Sequence, residues 1–192
     1  IATVLEPGCL ATAALVDTYH LSATFTFDPN IRPALIPDAD AARERIDRMI
    51  EKADVIKASD EDLRWIDPGR PPEQTAASWL ASGAKVVVVT LGGEGAVAMC
   101  AAGTVRVPAP DVHVVDTVGA GDSFMAGLID ALWARDLLGA EHRPALAHID
   151  RETLSGVVRT AARCAAVTVS RAGADLPDRA TLDAANSSDI LD

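Results

Sequence analysis

The run VVDTVGAGDSFMAGL occupies residues 114–128. An apolar, strand-like stretch gives way to Gly119, Ala120 and Gly121, and Asp122 stands where a helix begins. Three residues with almost no side chain let backbone N–H groups approach a ligand closely. At a helix N-terminus those donors are unpaired and the dipole favours negative charge. A carboxylate in the first turn is charged in that field and can accept a proton. Amides that stabilise a moving phosphoryl group, beside a base for the attacking hydroxyl, are the parts of phosphoryl transfer. The same residues also fit an ordinary helix start with Asp122 as its cap. No Walker A lysine motif is present, so this is not a P-loop.

Other stretches carry weaker signals. Gly93-Glu94-Gly95-Ala96-Val97-Ala98 satisfies G-x-G-x-x-A after an apolar strand. A dinucleotide fingerprint needs a helix next, and AVAMCAAGTVRV reads as a hairpin instead. The fork of Arg32 suits a phosphate or a substrate carboxylate, and equally a solvated turn. Lys57 closes a strand and either serves a site or balances local acids. His20, His113, His142 and His148 lack metal-ligand spacing. Trp65, Trp79 and Trp133 fall on expected helices and read as packing residues.

The elements that must position these residues alternate. Residues 23–30 form a short β-rich run closed by a turn. Helices are expected over 38–53, 60–66, 71–83, about 121–137, 150–170 and 178–185. Strands are expected over 54–59 and 84–93, with two more around a glycine turn within 95–108. The loop 141–148 reads as the most flexible segment. Strands separated by helices give one α/β domain over 1–192, a mainly parallel sheet covered by helices on both faces.

Composition narrows the partners. Lys and Arg total 17 against 28 Asp and Glu, a formal charge of -11. So acidic a chain has no general surface for nucleic acid and no polybasic cluster for anionic membranes. A small anion can still be held by local amides. Cys9, Cys100 and Cys164 are odd in number and widely spaced, as in reduced cytoplasmic proteins. No apolar run spans a bilayer and no signal peptide opens the chain. The first residue, Ile1, enters mid-pattern, as a fragment would.

DTVGAGDSFMAGL resembles the C-terminal signature of the PfkB/ribokinase family of carbohydrate kinases. FDPNIRPALI (27–36), ADVIKASDEDL (53–63), VVVTLGGEGA (87–96) and AARCAAVTVSRAGADLP (161–177) resemble further family elements in the family's order. The resemblance implies a ribokinase-like fold with the N-terminal part and β lid absent, and a transfer of the γ-phosphoryl of ATP to a sugar hydroxyl. It implies Asp122 as base and Gly119, Ala120 and Gly121 as anion hole. Thr90, Gly92 and Gly95 match the nucleotide loop. Ser59 and Asp62 stand where the family has Asn and Glu around Mg²⁺ and its waters. Asp116 and Val118, with carbonyls near Thr168 and Gly173, match a K⁺ site. Arg32 lies in the element that leans toward fructokinase. A 2-keto-3-deoxygluconate kinase, a ribokinase-like enzyme or a non-catalytic nucleotide-binding module are the alternatives. A homodimer would form through the lid. The portion that chooses the sugar is not among these motifs. The 192-residue chain alone should therefore show little or no ATP-dependent phosphorylation of any sugar. An assay on protein of verified mass checks this, and turnover comparable with intact sugar kinases would refute it.

Overall fold

The computed structural model describes residues 2–187. In chain order the elements are α1 (Gly8–Tyr19), β1 (Thr26–Phe27), α2 (Ala39–Ile50), β2 (Val55–Ser59), α3 (Asp60–Ile66) and α4 (Pro72–Ala81). There follow β3 (Val86–Thr90), β4 (Ala96–Cys100), β5 (Gly103–Val107), α5 (Ala120–Trp133), α6 (Arg143–Ala147), α7 (Arg151–Val169) and α8 (Arg179–Ser187). The strands form one sheet in the order β1-β2-β3-β4-β5. The first three are parallel, and β4 and β5 turn back as an antiparallel hairpin.

Burial follows the period of the strands. Ile56, Ala58, Val87 and Val89 face a core built with Ile46, Met49 and Ile50 of α2, Leu63 of α3 and Trp79 of α4. Val55, Val86 and Val88 face the other way, against Phe124, Leu128 and Leu132 of α5 and Leu154, Val157 and Val158 of α7. Each buried Val, Leu, Ile, Phe or Met side chain here contributes about 1.5–3 kcal/mol relative to exposure. Helices thus cover both faces, as the alternation implies.

Local chemistry sets the boundaries. Asp38 caps α2 by accepting from the Ala41 amide at 3.0 Å, and Asp150 caps α7 by accepting from Thr153 at 2.7 Å. Ser59 and Asp62 cap α3 reciprocally. Gly95, at φ +89°, has no room for a side chain, since a Cβ would sit 2.1 Å from the Val107 carbonyl oxygen. That close approach seats the turn after β3 against the end of β5.

Two expectations need correction, and one helix was not anticipated. Residues 141–148 are not a loose loop. Ala140–His142 is a short 3-10 turn that runs into α6, where Leu146 is fully buried. Arg143 grips Asp54 with two nitrogens, at 2.8 and 3.2 Å, and also donates to the carbonyls of His20, Leu21 and Ala23. Trp133 is 71% exposed at the end of α5 rather than packed, whereas Trp79 is buried. The helix α1 had no sequence signal, because Leu10, Leu15 and Tyr19 remain exposed and leave no apolar stripe to detect.

The pair α5·α7 packs closely because Gly127 presents no side chain: a Cβ there would lie 2.6 Å from Cys164 Sγ and 3.0 Å from Ala161 Cα. Gly127→Val should separate the two helices and destabilise the fold by about 1–3 kcal/mol. Thermal denaturation followed by circular dichroism measures this, and an unchanged midpoint would contradict the packing account.

Candidate active site

The parallel register lines up the carboxyl ends of three strands. Ser59 at the end of β2 pairs with Thr90 at the end of β3, and Asp28 directly follows β1. In open α/β sheets ligands bind at that edge. The N-terminus of α5 arrives beside it, since a Cβ on Gly121 would lie 3.1 Å from Nζ of Lys57. One edge therefore gathers Asp28, Lys57, Ser59, Thr90 and the 119–122 turn.

This turn differs from the side-chain-capped starts of α2, α3 and α7. Gly119 is the residue before α5, at φ +82°, and it offers no capping side chain. Ala120 donates to the Thr117 carbonyl at 3.3 Å. Among the described residues no acceptor meets the amides of Gly121 and Asp122. The Asp122 side chain is exposed in the first helical turn. Open amides and an accessible carboxylate at one helix end can hold an anion and take a proton. Gly119 is confined as well: a Cβ there would approach the Ala174 Cβ to 2.9 Å. Val118 and Leu176, both exposed, give the turn an apolar border.

Asp116 holds the flanking loops. One of its carboxylate oxygens accepts from the Val118 amide and the other from the Gly173 amide, each at 3.0 Å. Those two bonds, Val118 first, hold its pKa below the ordinary 3.8. Val169, at the end of α7, takes the amides of Val115 and Asp116 on its carbonyl. The hydroxyls of Ser123 and Thr168 meet at 2.8 Å in the buried seam between α5 and α7. A carboxylate and carbonyls are hard oxygen donors of the kind an alkali ion takes, so the surroundings of Asp116 fit K⁺. The carbonyls of Thr168 and Gly173 each already accept one amide, from Arg171 and Asp175.

Ser59 and Asp62 bond to each other at the start of α3. Asp62 is 7% exposed. Its carboxylate accepts from the Ile31 amide at 2.8 Å, the Ser59 amide at 2.9 Å and the Ser59 hydroxyl at 2.7 Å. Three protein donors around a buried carboxylate make a brace between the 28–32 turn and α3. No group of three or more His, Cys, Asp or Glu among the described residues could hold a metal ion.

The nucleotide-loop residues hold together. Gly92, at φ +56°, and Gly95 bound a short 3-10 turn, and Leu91 donates to the Gly95 carbonyl at 2.8 Å. Space around Gly92 is open. Arg32 is exposed and donates to its neighbour's carbonyl, that of Ile31, at 2.9 Å. Its fork is not drawn into the 119–122 turn.

Two residues carry more than the sequence reading assigned. Lys57 and Asp28 form a buried ion pair at 2.8 Å, their side chains 6% and 15% exposed. Burial pushes the Asp28 carboxyl up, while the Lys57 charge and hydrogen bond pull it back down. A lysine inside an otherwise apolar strand was the signal for this pair, because strands covered on both faces rarely tolerate one without a partner.

This chain belongs to the pfkB family of carbohydrate kinases, whose pattern matches residues 1–181. A fructokinase from Rhizobium leguminosarum bv. trifolii is 46% identical over 125 residues, covering 65% of this chain and 38% of that protein. The aminoimidazole riboside kinase of Salmonella enterica, solved with aminoimidazole riboside and an ATP analogue, superposes with a TM-score of 0.77 at 27% identity, covering 98% of this chain and 61% of that one. A double mutant of the Vibrio cholerae O395 fructokinase, solved with fructose, ADP and potassium ion, gives 0.78 at 26% identity, covering 95% and 57%. The chain thus spans between 38% and 61% of the length of these relatives.

Asp116 yields a pH prediction. A carboxylate with a depressed native pKa stabilises the fold above its unfolded value and loses that effect as pH falls through the native value. At neutral pH Asp116→Asn should melt below wild type. The gap should shrink as pH drops beneath the ordinary 3.8. Melting curves of both proteins against pH check this, and a gap independent of pH would refute the latch.

Proposed function

We propose that this segment is the nucleotide- and base-bearing part of an ATP-dependent sugar kinase, with fructose as the favoured acceptor. The observation that carries the reading is the uncapped start of α5, where open amides and the exposed Asp122 carboxylate share one turn. In the reaction, the sugar hydroxyl oxygen bonds to the γ-phosphorus as the bond from that phosphorus to the ADP oxygen breaks. Asp122 takes the hydroxyl proton. The amides of Gly119, Gly121 and Asp122 donate to the phosphoryl oxygens, where charge is spread in the transition state.

The fructokinase relatives support fructose; the riboside kinase neighbour keeps a ribosyl acceptor as the alternative. Thr90, Gly92 and Gly95 would border the nucleotide, and Arg32 would be a substrate contact only after leaving the Ile31 carbonyl. Magnesium would supply charge neutralisation at the phosphates, and Ser59 and Asp62, at the end of β2 and the start of α3, are the residues that would order its water shell. A potassium-bound structure among the relatives supports a monovalent ion beside Asp116 and Val118. A cytoplasmic setting is supported by three free cysteines, all buried. No helix among the described residues is long and apolar enough to cross a membrane. A homodimer would be made by parts of the family fold outside these elements.

The test uses a polypeptide carrying this segment completed to the relatives' full length, assayed for ADP release with ATP, Mg²⁺ and fructose. Asp122→Asn should lower kcat by roughly 10²–10⁴-fold, the usual contribution of a general base, with ATP affinity little changed. Near-normal turnover would reduce Asp122 to a helix-capping residue.

A further inference from the structure

Lys57 is an unusual neighbour for a helix N-terminus. The two-residue period of β2 puts it on the same face as Val55, toward α5. It is 5% exposed, yet its ammonium reaches to 3.1 Å from where a Cβ on Gly121 would be. Among the described residues Asp28 is its one hydrogen-bond partner, at 2.8 Å. An ammonium has three donors, so two stay available on the side of the turn.

Asp28 is itself fixed. Its second oxygen accepts from the Asn30 amide at 3.2 Å, in a turn whose Asn30 has φ +44°. Asp62 ties the next residue, Ile31, to the start of α3. The ion pair is therefore held at both ends, by the 28–31 turn and by the sheet. Its positive end is the one beside the turn: among the described residues, and beyond the local stretch of α5 itself, the Lys57 ammonium is the one group within 4 Å of where a Cβ on Gly121 would be. A surface lysine would be screened; a buried one acts on a nearby anion through a low dielectric.

We infer that Lys57 is a charge-positioning residue for the polyphosphate of the nucleotide, a fixed positive charge beneath the 119–122 amides, and that Asp28 sets its position. The inference deepens the kinase reading and rests on it. It also accounts for Gly121, whose missing side chain lets the ammonium come up under the backbone. Because the pair is neutral overall, removing both charges leaves the net charge of the protein unchanged. The effect on a ligand is then local.

The experiment uses the 192-residue chain and isothermal titration with ATP, adenosine and inorganic tripolyphosphate. The double variant Asp28→Asn/Lys57→Met keeps a carbonyl oxygen for the Asn30 amide and leaves no buried charge alone. The single variant Lys57→Met strands Asp28 and should melt lower than the double variant. The double variant should bind ATP and tripolyphosphate roughly 10–100-fold more weakly than wild type, the range for a lost contact to a charged group, with adenosine affinity unchanged. A folded double variant that keeps wild-type affinity for ATP and tripolyphosphate would overturn the inference while leaving the kinase reading intact. A wild-type chain that binds neither would overturn both.

Discussion

The N-terminus of α5 has to stay open. The starts of α2, α3 and α7 are closed by a side chain, Asp38, Ser59 and Asp150, whereas α1, α4 and α6 begin beside prolines without one. At α5 the preceding residue is a glycine in the left-handed region, which closes nothing. Unpaired amides at a helix end are costly when buried and useful when a ligand meets them. Much of the surrounding structure holds that end in place. Asp116 fastens the approach to α5 onto the loop after α7. Gly127 lets α5 lie close against α7. The buried Ser123–Thr168 contact locks the same seam one turn inside the helix.

The opposite wall is built from different chemistry. Asp28, Lys57, Ser59 and Asp62 are linked to one another or to the backbone by short hydrogen bonds at the carboxyl ends of β1 and β2. Removing a carboxylate from this wall would free a buried partner, which costs more than the bond itself contributes. The wall is therefore rigid for reasons of electrostatics, whereas the α5 side is rigid for reasons of packing. A charged ligand at the 119–122 turn would meet groups already in place, the condition under which electrostatic stabilisation of a transition state is greatest.

The fold was largely readable from the residues. Apolar runs such as Val86–Val89 mark a strand covered on both faces, and the spacing of Ala42, Ile46 and Ile50 marks the buried stripe of α2. The turn of small residues and Asp122 was readable because it is local: the donors, the dipole and the carboxylate lie within four consecutive positions. What escaped depends on distance in sequence. Arg143 grips Asp54 across 89 positions, which turned an apparent loop into an anchored corner. Lys57 meets Asp28 across 29 positions, and Gly173 meets Asp116 across 57. Asp62 closes the capping box of α3 locally, but its bond to the Ile31 amide spans 31 positions and left no local trace. The helix α1 was missed because most of its apolar side chains are not buried.

On this reading the open amides at the start of α5 hold the phosphates of a nucleotide. Amide NMR of the ¹⁵N-labelled chain, titrated with ATP and separately with adenosine, reads this directly. The account predicts that ATP shifts the Gly119, Gly121 and Asp122 amides strongly and that adenosine leaves them nearly in place. Saturable ATP binding that leaves these amides unmoved would contradict it.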